Sequence, residues 1–331
     1  MIVSSAPLRF SFNGGGSDLP VFFERERGRT VSIALDKRVY VTLHKSFSGE
    51  YRIAYSRIES CKTIAEIRHP IVRACLEILE WDEQGLEITS IADVPSSGSG
   101  LGSSSAFTVA LLNGILFMQG KEVNPRDLAR LACEVEVDIL KSPIGFQDQH
   151  ASSHGGLNKY EYKSREEILV EPIFTDHKLE QEFIAILNKH LLFFHVGGPR
   201  NAADILLKQN NRVSQEREAF LATRKLSELA LESSKSIKAF DIKGLGEQMF
   251  RGWKIKSELN GDVENIAIKQ LLEWADQTNL IFGAKILGAG NSGFLAVLAP
   301  PENHRLIAHQ LNFLALFSAK LIGQGPRVGE F

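Results

Sequence analysis

A glycine- and serine-rich stretch at residues 94–106, VPSSGSGLGSSSA, has the composition of a ligand-binding loop. Glycines let the backbone turn tightly and direct its N–H groups at a ligand without interference from side chains. The apolar run at 107–118 predicts a buried helix whose first N–H groups are free. A loop of this kind entering a helix predicts a phosphate site, the alternative being a surface loop capped by a serine.

Three carboxylates occur in segments that could place them in a cleft. Asp18 follows the glycine-rich turn 13–17 at the end of a predicted strand. Glu136 lies on the flank of the apolar stripe of a helix predicted over 125–140. Asp148 stands in a polar, glycine-bounded segment that can hold a buried carboxylate. The alternatives are a turn aspartate, a surface glutamate and a loop with an Asx-turn.

Two common nucleotide-binding patterns are excluded. The segment 288–293 matches G-x-G-x-x-G, but a dinucleotide fingerprint needs a strand before it and a helix after it. Here a helix predicted over 269–282 precedes the loop and a strand over 294–298 follows it, so we reject this interpretation. The chain contains no G-x-x-x-x-G-K-[ST]. The histidines lack metal-ligand spacing, so we expect no transition-metal site.

Composition limits the class of partner. The 331 residues allow two domains, and a net charge of −2 argues against nucleic acid while leaving a small anionic substrate possible. Three cysteines without a CxxC pair predict a reducing compartment. The start lacks a signal-peptide pattern, and the longest apolar run is too short to span a bilayer. We therefore expect a cytoplasmic protein without a membrane partner.

The remaining pattern predicts mixed α and β structure, with a domain junction within 157–190. A charged turn at 36–38 is expected to separate two strands. The other predicted elements are strands at 2–12, 51–55, 86–91 and 191–196, a hairpin within 158–182, and helices at 70–81, 212–240 and 241–259.

The three glycine-rich motifs in this order resemble those of the GHMP small-molecule kinases. The first comprises residues 6–9 and 13–18, the second runs from Pro95 to Ala106 and contains G-L-G-S-S, and the third is 288–293. Asn291 and Ser292 interrupt the longer glycine run that is usual in the third motif. The resemblance covers nearly the whole chain. It implies an α+β, two-domain fold: an N-terminal ribosomal protein S5 domain 2-like domain at 1–185 and a C-terminal ferredoxin-like α/β sandwich at 186–331.

Residues 9–18 and 143–150 resemble the branch of heptose 7-phosphate kinases and bacterial fucokinases. This resemblance implies ATP-dependent phosphorylation of the C1 hydroxyl of D-glycero-D-manno-heptose 7-phosphate. Asp148 would accept or orient the proton of that hydroxyl, and Arg9 beside it would stabilise charge on the transferring phosphoryl. Ser104 and Glu136 would bind Mg²⁺. The implied ATP-binding residues are Pro95, Gly98, Gly100, Leu101, Gly102, Ser103, Ser104 and Ser105; the implied substrate-binding residues are Asp18, Gly15, Gly16, Arg200 and Gly290.

Two alternatives remain open at this stage. The first is a kinase of fucose, galactose or another unphosphorylated sugar; the discriminator is a basic pocket for a distal phosphate, for which Arg200, Lys254 and Lys285 are candidates. Lys254 and Lys256, near Trp253, could reach a phosphate, although a solvated face is the default for both. The second alternative is a regulator that senses sugar and ATP. The joint presence of the candidate catalytic and metal-binding residues argues against it.

Overall fold

The computed structural model describes residues 1–95, 99–197, 202–260, 270, 273–274, 277–288 and 293–330. The strands in this part of the chain are β1 Ile2–Asn13, β2 Gly28–Lys45, β3 Tyr51–Ala54, β4 Ile58–Cys61, β5 Leu86–Ala92, β6 Leu157–Tyr162, β7 Ile168–Pro172, β8 Leu191–Gly197, β9 Gly283–Ile286, β10 Gly293–Leu298, β11 Ala315–Phe317, β12 Leu321–Ile322 and β13 Arg327–Glu330. The α-helices are α1 Pro20–Phe23, α2 Pro70–Ile78, α3 Ser103–Met118, α4 Pro125–Cys133, α5 Gln147–His154, α6 His177–His190, α7 Ala202–Gln215, α8 Arg217–Lys238, α9 Ile242–Asn260 and α10 His304–Gln310.

The described strands form two sheets. In the larger one, β13, β1, β2, β5, β3 and β4 lie side by side, β12 and β6 also pair with β2, and β7 pairs with β6. The smaller sheet has the order β11-β8-β10-β9 and is antiparallel throughout. This mixture confirms the predicted α+β class. No helix among the described residues has the length and apolarity needed to cross a membrane.

The charged triplet at 36–38 does not form a turn, so the prediction of two strands is wrong: β2 is one strand of 18 residues. Opposite Pro7 lies Arg38 and opposite Arg9 lies Ala34, so β2 gains two residues as a bulge there. The Arg38 guanidinium is buried and donates to the carbonyls of Ser5 and Gly325. Local charge suggested a turn, but long-range hydrogen bonds keep the strand continuous.

The helix predicted over 125–140 begins as expected, because the Asn124 side chain accepts from the backbone N–H of Asp127. After Cys133 it widens into a π-helix at Glu134–Ile139. This wider turn directs Glu136 inward, where only 2% of its surface is exposed. Single π-turns of this kind are frequent at functional sites.

The polar segment 143–156 contains a helix, α5, and the Asx-turn alternative is wrong. Most of α5 is buried although its sequence is polar, so it shows no amphipathic periodicity that would predict a helix. It packs against α3, α4 and β1. Of the helix predicted over 269–282, residues 270, 273–274 and 277–278 are helical and residues 279–282 are not, while 269, 271–272 and 275–276 lie outside the described residues.

The apolar helix predicted after the second motif is confirmed as α3, which lies across β1 and β2. Gly114 permits this approach: a Cβ there would lie 2.5 Å from Leu43 Cδ1 and 3.1 Å from Ser4 Cβ. The two sheets are joined at Phe10, whose ring meets Phe193 of β8 edge-on at 5.7 Å. This packing holds the N-terminus of α3 over β1, where Arg9 lies.

Candidate active site

Arg9 and Asp148 form a bidentate ion pair. Arg9 Nε donates to Asp148 Oδ1 at 2.8 Å, and Nη2 donates to Oδ2 at 2.9 Å. The remaining Nη1 donates to the carbonyl of Gly100 at 2.6 Å. Paired N–H···O bonds of this kind fix both distance and orientation. The Arg9 side chain therefore joins the first turn of α5 to the second glycine-rich motif. Arg9 lies beside Asp148, as the family resemblance implied.

The second motif lies directly against this pair. Gly102 precedes α3 with a φ of +76°, and a Cβ there would lie 3.2 Å from Asp148 Oδ2 and 3.4 Å from Arg9 Cγ. The N-terminus of α3 has no side-chain cap hydrogen bond within the described residues. Its first N–H groups and the helix dipole therefore favour an anion beside Asp148.

The third motif meets the second by backbone contact. A Cβ on Gly100 would lie 2.4 Å from the carbonyl oxygen of Leu287, and one on Gly288 would lie 2.4 Å from the Cα of Gly100. The segment after Gly288 joins β9 to the antiparallel strand β10, so the rejection of a dinucleotide fingerprint is confirmed. The second and third motifs therefore lie against one another beside the Arg9–Asp148 pair, and we call this region the cleft.

Glu136 has two hydrogen-bond donors at its carboxylate. Ser104 Oγ donates to Oε1 at 3.1 Å and Gln149 Nε2 donates to Oε2 at 2.7 Å. Burial raises the pKa of Glu136, and hydrogen bonds from Ser105, Gln149 and Ser104 act against that rise. A cation beside Ser104 would also lower the pKa of Glu136, because its positive charge stabilises the ionised carboxylate.

These oxygens fit Mg²⁺, which takes one or two protein oxygens together with phosphate and water. Ser104 is exposed at the start of α3, and Glu136 lies behind it. The described residues contain no cluster of three or more histidine, cysteine or acidic side chains that could hold a metal. Ser104 and Glu136 therefore suit a metal that takes some of its ligands from the protein and the others from a nucleotide.

Asp18 joins the first glycine turn to α5. Its Oδ1 accepts from the N–H of Gly16 at 2.7 Å and its Oδ2 accepts from the N–H of Gln147 at 3.1 Å. Burial raises the pKa of Asp18, and the nearby charge of Asp148 adds to the rise. A Cβ on Gly145 would lie 1.9 Å from Asp18 Oδ2, so glycine is required there. Asp18 thus aligns two segments of the cleft.

Lys254 has the solvated position that was its default, whereas Lys256 and Lys285 differ from the sequence-based expectation. Lys254 is exposed and lies over the ring of Phe250 at 4.4 Å. Lys285 donates to the carbonyls of Ser11 and Phe12 at 3.0 and 2.9 Å. Lys256, for which a solvated face was the default, is partly buried and donates to Gly288 at 2.8 Å. Its spacing of three from the partly buried Trp253 puts both residues on one helix face and is the signal that could have identified it.

Two further residues beside the first glycine turn, Gln147 and Gln209, were not predicted from the sequence. A Cβ on Gly15 would lie 3.5 Å from Gln147 Oε1 and 3.8 Å from Lys256 Nζ. A Cβ on Gly16 would lie 2.6 Å from Gln209 Nε2. Gln209 comes from α7, a long amphipathic helix in which nothing distinguishes one polar residue from its neighbours.

Most of the predicted site residues meet in this cleft. Leu101 is buried and accepts from the N–H of Arg9 at 3.0 Å, Ser103 Oγ is 3.3 Å from Ser99 Oγ, and Pro95 is exposed before the loop. The predicted residues outside the described part of the chain are Gly98, Arg200 and Gly290.

Comparison with known proteins shows which families the sequence is similar to. Residues 69–156 match the family "GHMP kinases N terminal domain". The chain is 23% identical to the D-glycero-alpha-D-manno-heptose 7-phosphate kinase of Campylobacter jejuni, over 91% of this chain and 90% of the relative. It is 25% identical to the bifunctional fucokinase/GDP-fucose pyrophosphorylase of Arabidopsis thaliana, over 95% of this chain and 31% of the relative.

A solved structure shares the whole fold. The D-glycero-D-manno-heptose 1-phosphate kinase from Bacteriodes thetaiotaomicron superposes with a TM-score of 0.81 at 20% identity, covering 100% of this chain and 99% of that one. The match at residues 69–156 is to the N-terminal domain of the GHMP kinases, and the chain shares the α+β, two-domain fold of that solved structure. The predicted enzyme class, an ATP-dependent phosphotransferase with an alcohol group as acceptor, is also confirmed. The domain limits at 185 and 186 stay a prediction.

The buried cations predict a pH dependence of stability. Burial, with repulsion from Lys256 and Arg9, lowers the pKa of Lys285 to about 7. The unfolded chain keeps this proton to higher pH, so the free energy of unfolding rises as pH increases above about 7. We expect the wild type to gain up to about 1.4 kcal/mol per pH unit relative to Lys285→Met between about pH 7 and about pH 9. Urea unfolding across this range measures it.

Lys254→Met is the matched control, since it removes an exposed charge from α9 and should keep the wild-type slope. Equal slopes for Lys285→Met and the wild type would contradict a lowered Lys285 pKa.

Proposed function

We propose that the protein is a sugar-1-kinase that transfers the γ-phosphoryl group of ATP to the C1 hydroxyl of D-glycero-D-manno-heptose 7-phosphate. The product would be the 1,7-bisphosphate, used for the synthesis of nucleotide-activated heptose. The observation that carries the proposal is the bidentate Arg9–Asp148 pair beside the N-terminus of α3, which no described side chain caps. The whole-length similarity to the Campylobacter jejuni heptose 7-phosphate kinase supports the choice of sugar.

On the donor side, the N–H groups of Ser103, Ser104 and Ser105, which have no hydrogen-bond partner among the described residues, would bind the triphosphate. Phosphoryl transfer requires little covalent chemistry from the protein and depends on positioning and on stabilisation of charge. Ser104 and Glu136 would hold Mg²⁺, which would neutralise phosphate charge as the phosphoryl group moves. The burial of Glu136 and its direct bond to Ser104 support this pairing.

On the acceptor side, Asp148 would accept or orient the proton of the C1 hydroxyl. The hydroxyl oxygen forms a bond to the γ-phosphorus, the bond between that phosphorus and the β–γ bridging oxygen breaks, and ADP leaves. Arg9, held by Asp148 and Gly100, would stabilise charge on the transferring group. Asp18 would bind sugar hydroxyls with the lone pairs that its two backbone hydrogen bonds leave free.

A phosphorylated acceptor is favoured by the cations of the cleft. Lys256 donates to a backbone carbonyl and has no carboxylate partner within hydrogen-bond distance among the described residues. Burial lowers its pKa, and a phosphate would restore the charged form. A kinase of fucose, galactose or another neutral sugar would use the same chemistry without needing this cation, and a regulator would need neither Asp148 nor Glu136.

A panel of acceptors tests the function. We expect ADP release with D-glycero-D-manno-heptose 7-phosphate, and kcat/KM at least about tenfold lower with the unphosphorylated heptose because Lys256 loses its anion. Fucose and galactose belong in the same panel. A preference for a neutral sugar would overturn the choice of substrate, and binding without any ADP release would favour the regulator.

Asp148→Asn tests the acceptor-side chemistry. We expect kcat to fall by about 10²–10⁴, the usual contribution of a general base, because the amide cannot take the proton. Steady-state ADP release measures it, with the exposed Asp82→Asn as a control of unchanged activity. Near-normal turnover by Asp148→Asn would rule out the role given to this residue.

Glu136→Ala tests the metal assignment. The variant should bind ATP at least about tenfold more weakly in the presence of Mg²⁺, since one charged ligand is lost. Without the metal the difference should be small. Calorimetric titration measures both, and Glu134→Ala, an exposed residue of the same π-helix, should match the wild type. Unchanged Mg²⁺-dependent affinity in Glu136→Ala would remove this residue from the metal site.

A further inference from the structure

Two buried glutamines from distant parts of the chain meet the Gly15–Gly16 turn. Gln147 opens α5 and is 4% exposed, and Gln209 lies in α7 and is 1% exposed. Gln147 Oε1 lies 3.5 Å from the position that a Cβ on Gly15 would occupy, and Gln209 Nε2 lies 2.6 Å from the corresponding position on Gly16. A side chain on Gly16 would therefore overlap the Gln209 amide, and one on Gly15 would contact the Gln147 amide.

Both amides carry atoms without a hydrogen-bond partner. Within the described residues, Gln147 Nε2 and both Gln209 Nε2 and Oε1 are buried and unpaired. A buried polar group left unpaired costs about 1–3 kcal/mol, so a ligand that pairs with it gains affinity. Unpaired atoms also occur far from the cleft, for example Gln119 Oε1 and Trp81 Nε1. The Gly15–Gly16 turn differs from those places because two such amides converge on it.

This turn borders the reacting groups. Gln147 immediately precedes Asp148, and its backbone N–H donates to Asp18, whose other oxygen accepts from Gly16. Lys256 Nζ closes the third side, 3.8 Å from the position of a Cβ on Gly15. A molecule held against the turn would thus lie next to the carboxylate of Asp148.

We propose that the side-chain amides of Gln147 and Gln209 bind hydroxyl groups of the acceptor against the Gly15–Gly16 backbone. An amide offers two donors and one acceptor oxygen, and a hydroxyl both donates and accepts, so neighbouring hydroxyls of a sugar can pair with all of these atoms. Neutral amides suit the uncharged part of the acceptor and leave Lys256 for an anionic part. This inference rests on the proposed function only in requiring a polyhydroxylated acceptor.

The subsite would act through specificity. A site built to pair a buried amide with a substrate hydroxyl discriminates against an analogue that lacks the hydroxyl, because the amide is then left unpaired. Gln147 and Gln209 are thus specificity-determining residues, while Arg9 and Asp148 carry the transfer.

The first measurement compares Gln147→Leu and Gln209→Leu with the wild type, using whichever sugar the wild type phosphorylates best in the acceptor panel. Each variant should raise the KM for the sugar about tenfold and leave the KM for ATP within about twofold. Gln119→Leu is the matched control, since it removes a half-buried amide at the far end of α3 and should change neither constant. Thermal unfolding confirms that each variant is folded.

The second measurement uses monodeoxy analogues of that sugar. In the wild type, removal of a hydroxyl that pairs with an amide should lower kcat/KM about tenfold or more. In the variant that lacks this amide, the ratio of kcat/KM for the sugar to kcat/KM for its deoxy analogue should fall toward one. A purely structural role would leave this ratio unchanged. For a variant that unfolds, Gln147→Asn or Gln209→Asn serves in its place, since the amide is kept and displaced.

The outcomes separate the two proposals. A wild type that prefers another sugar overturns the heptose assignment and still tests the amides with that sugar. A wild type that phosphorylates a sugar, together with variants whose acceptor KM and deoxy ratio are unchanged, overturns the amide subsite alone. Phosphorylation only of an alcohol without further hydroxyls overturns both.

Discussion

The ion pair between Arg9 and Asp148 is the interaction on which the cleft depends. Arg9 is 6% exposed, so its charge is largely withdrawn from water and must be compensated within the protein. The Asp148 carboxylate supplies this compensation with two hydrogen bonds, and the Gly100 carbonyl takes a third N–H. Loss of either partner would leave a largely desolvated charge. The pair therefore holds β1, α5 and the second glycine motif in one relative position.

Glycine backbones allow these segments to come close enough. At Gly100 and Gly288 the second and third motifs are so close that any Cβ would overlap backbone atoms of the other motif. Both glycines have a positive φ. Gly145 leaves room for the Asp18 carboxylate in the same way. The glycine motifs thus have two uses, because they permit approach to a ligand and they permit approach to one another. Only the first use was predicted from the sequence.

What could be predicted from the sequence was local. The glycine motifs and the helix after the second motif followed from residue types in order, whereas the placement of Arg9 beside Asp148, 139 residues away, was implied only by the family resemblance. The sequence left open whether Glu136 faces the interior or the solvent, and the π-helix turns it inward. A π-turn depends on packing rather than on residue preference, so the sequence could not predict it. β2 stays continuous through a charged triplet because Arg38 finds distant carbonyl partners. Gln209 reaches the cleft only through the tertiary placement of α7, for which a single sequence holds no signal.

The charges of the cleft divide into those that are compensated and those that are available. Arg9 and Asp148 neutralise one another, and Asp18 is held by two backbone N–H groups. Lys256 and Lys285 donate to neutral carbonyls, and burial lowers the pKa of both. An entering phosphate can draw Lys256 from Gly288 at the cost of one hydrogen bond to a carbonyl, whereas Arg9 cannot move without leaving Asp148 unpaired. The cleft thus combines a rigid pair that sets the geometry of the reaction with a cation that is free to follow the anion.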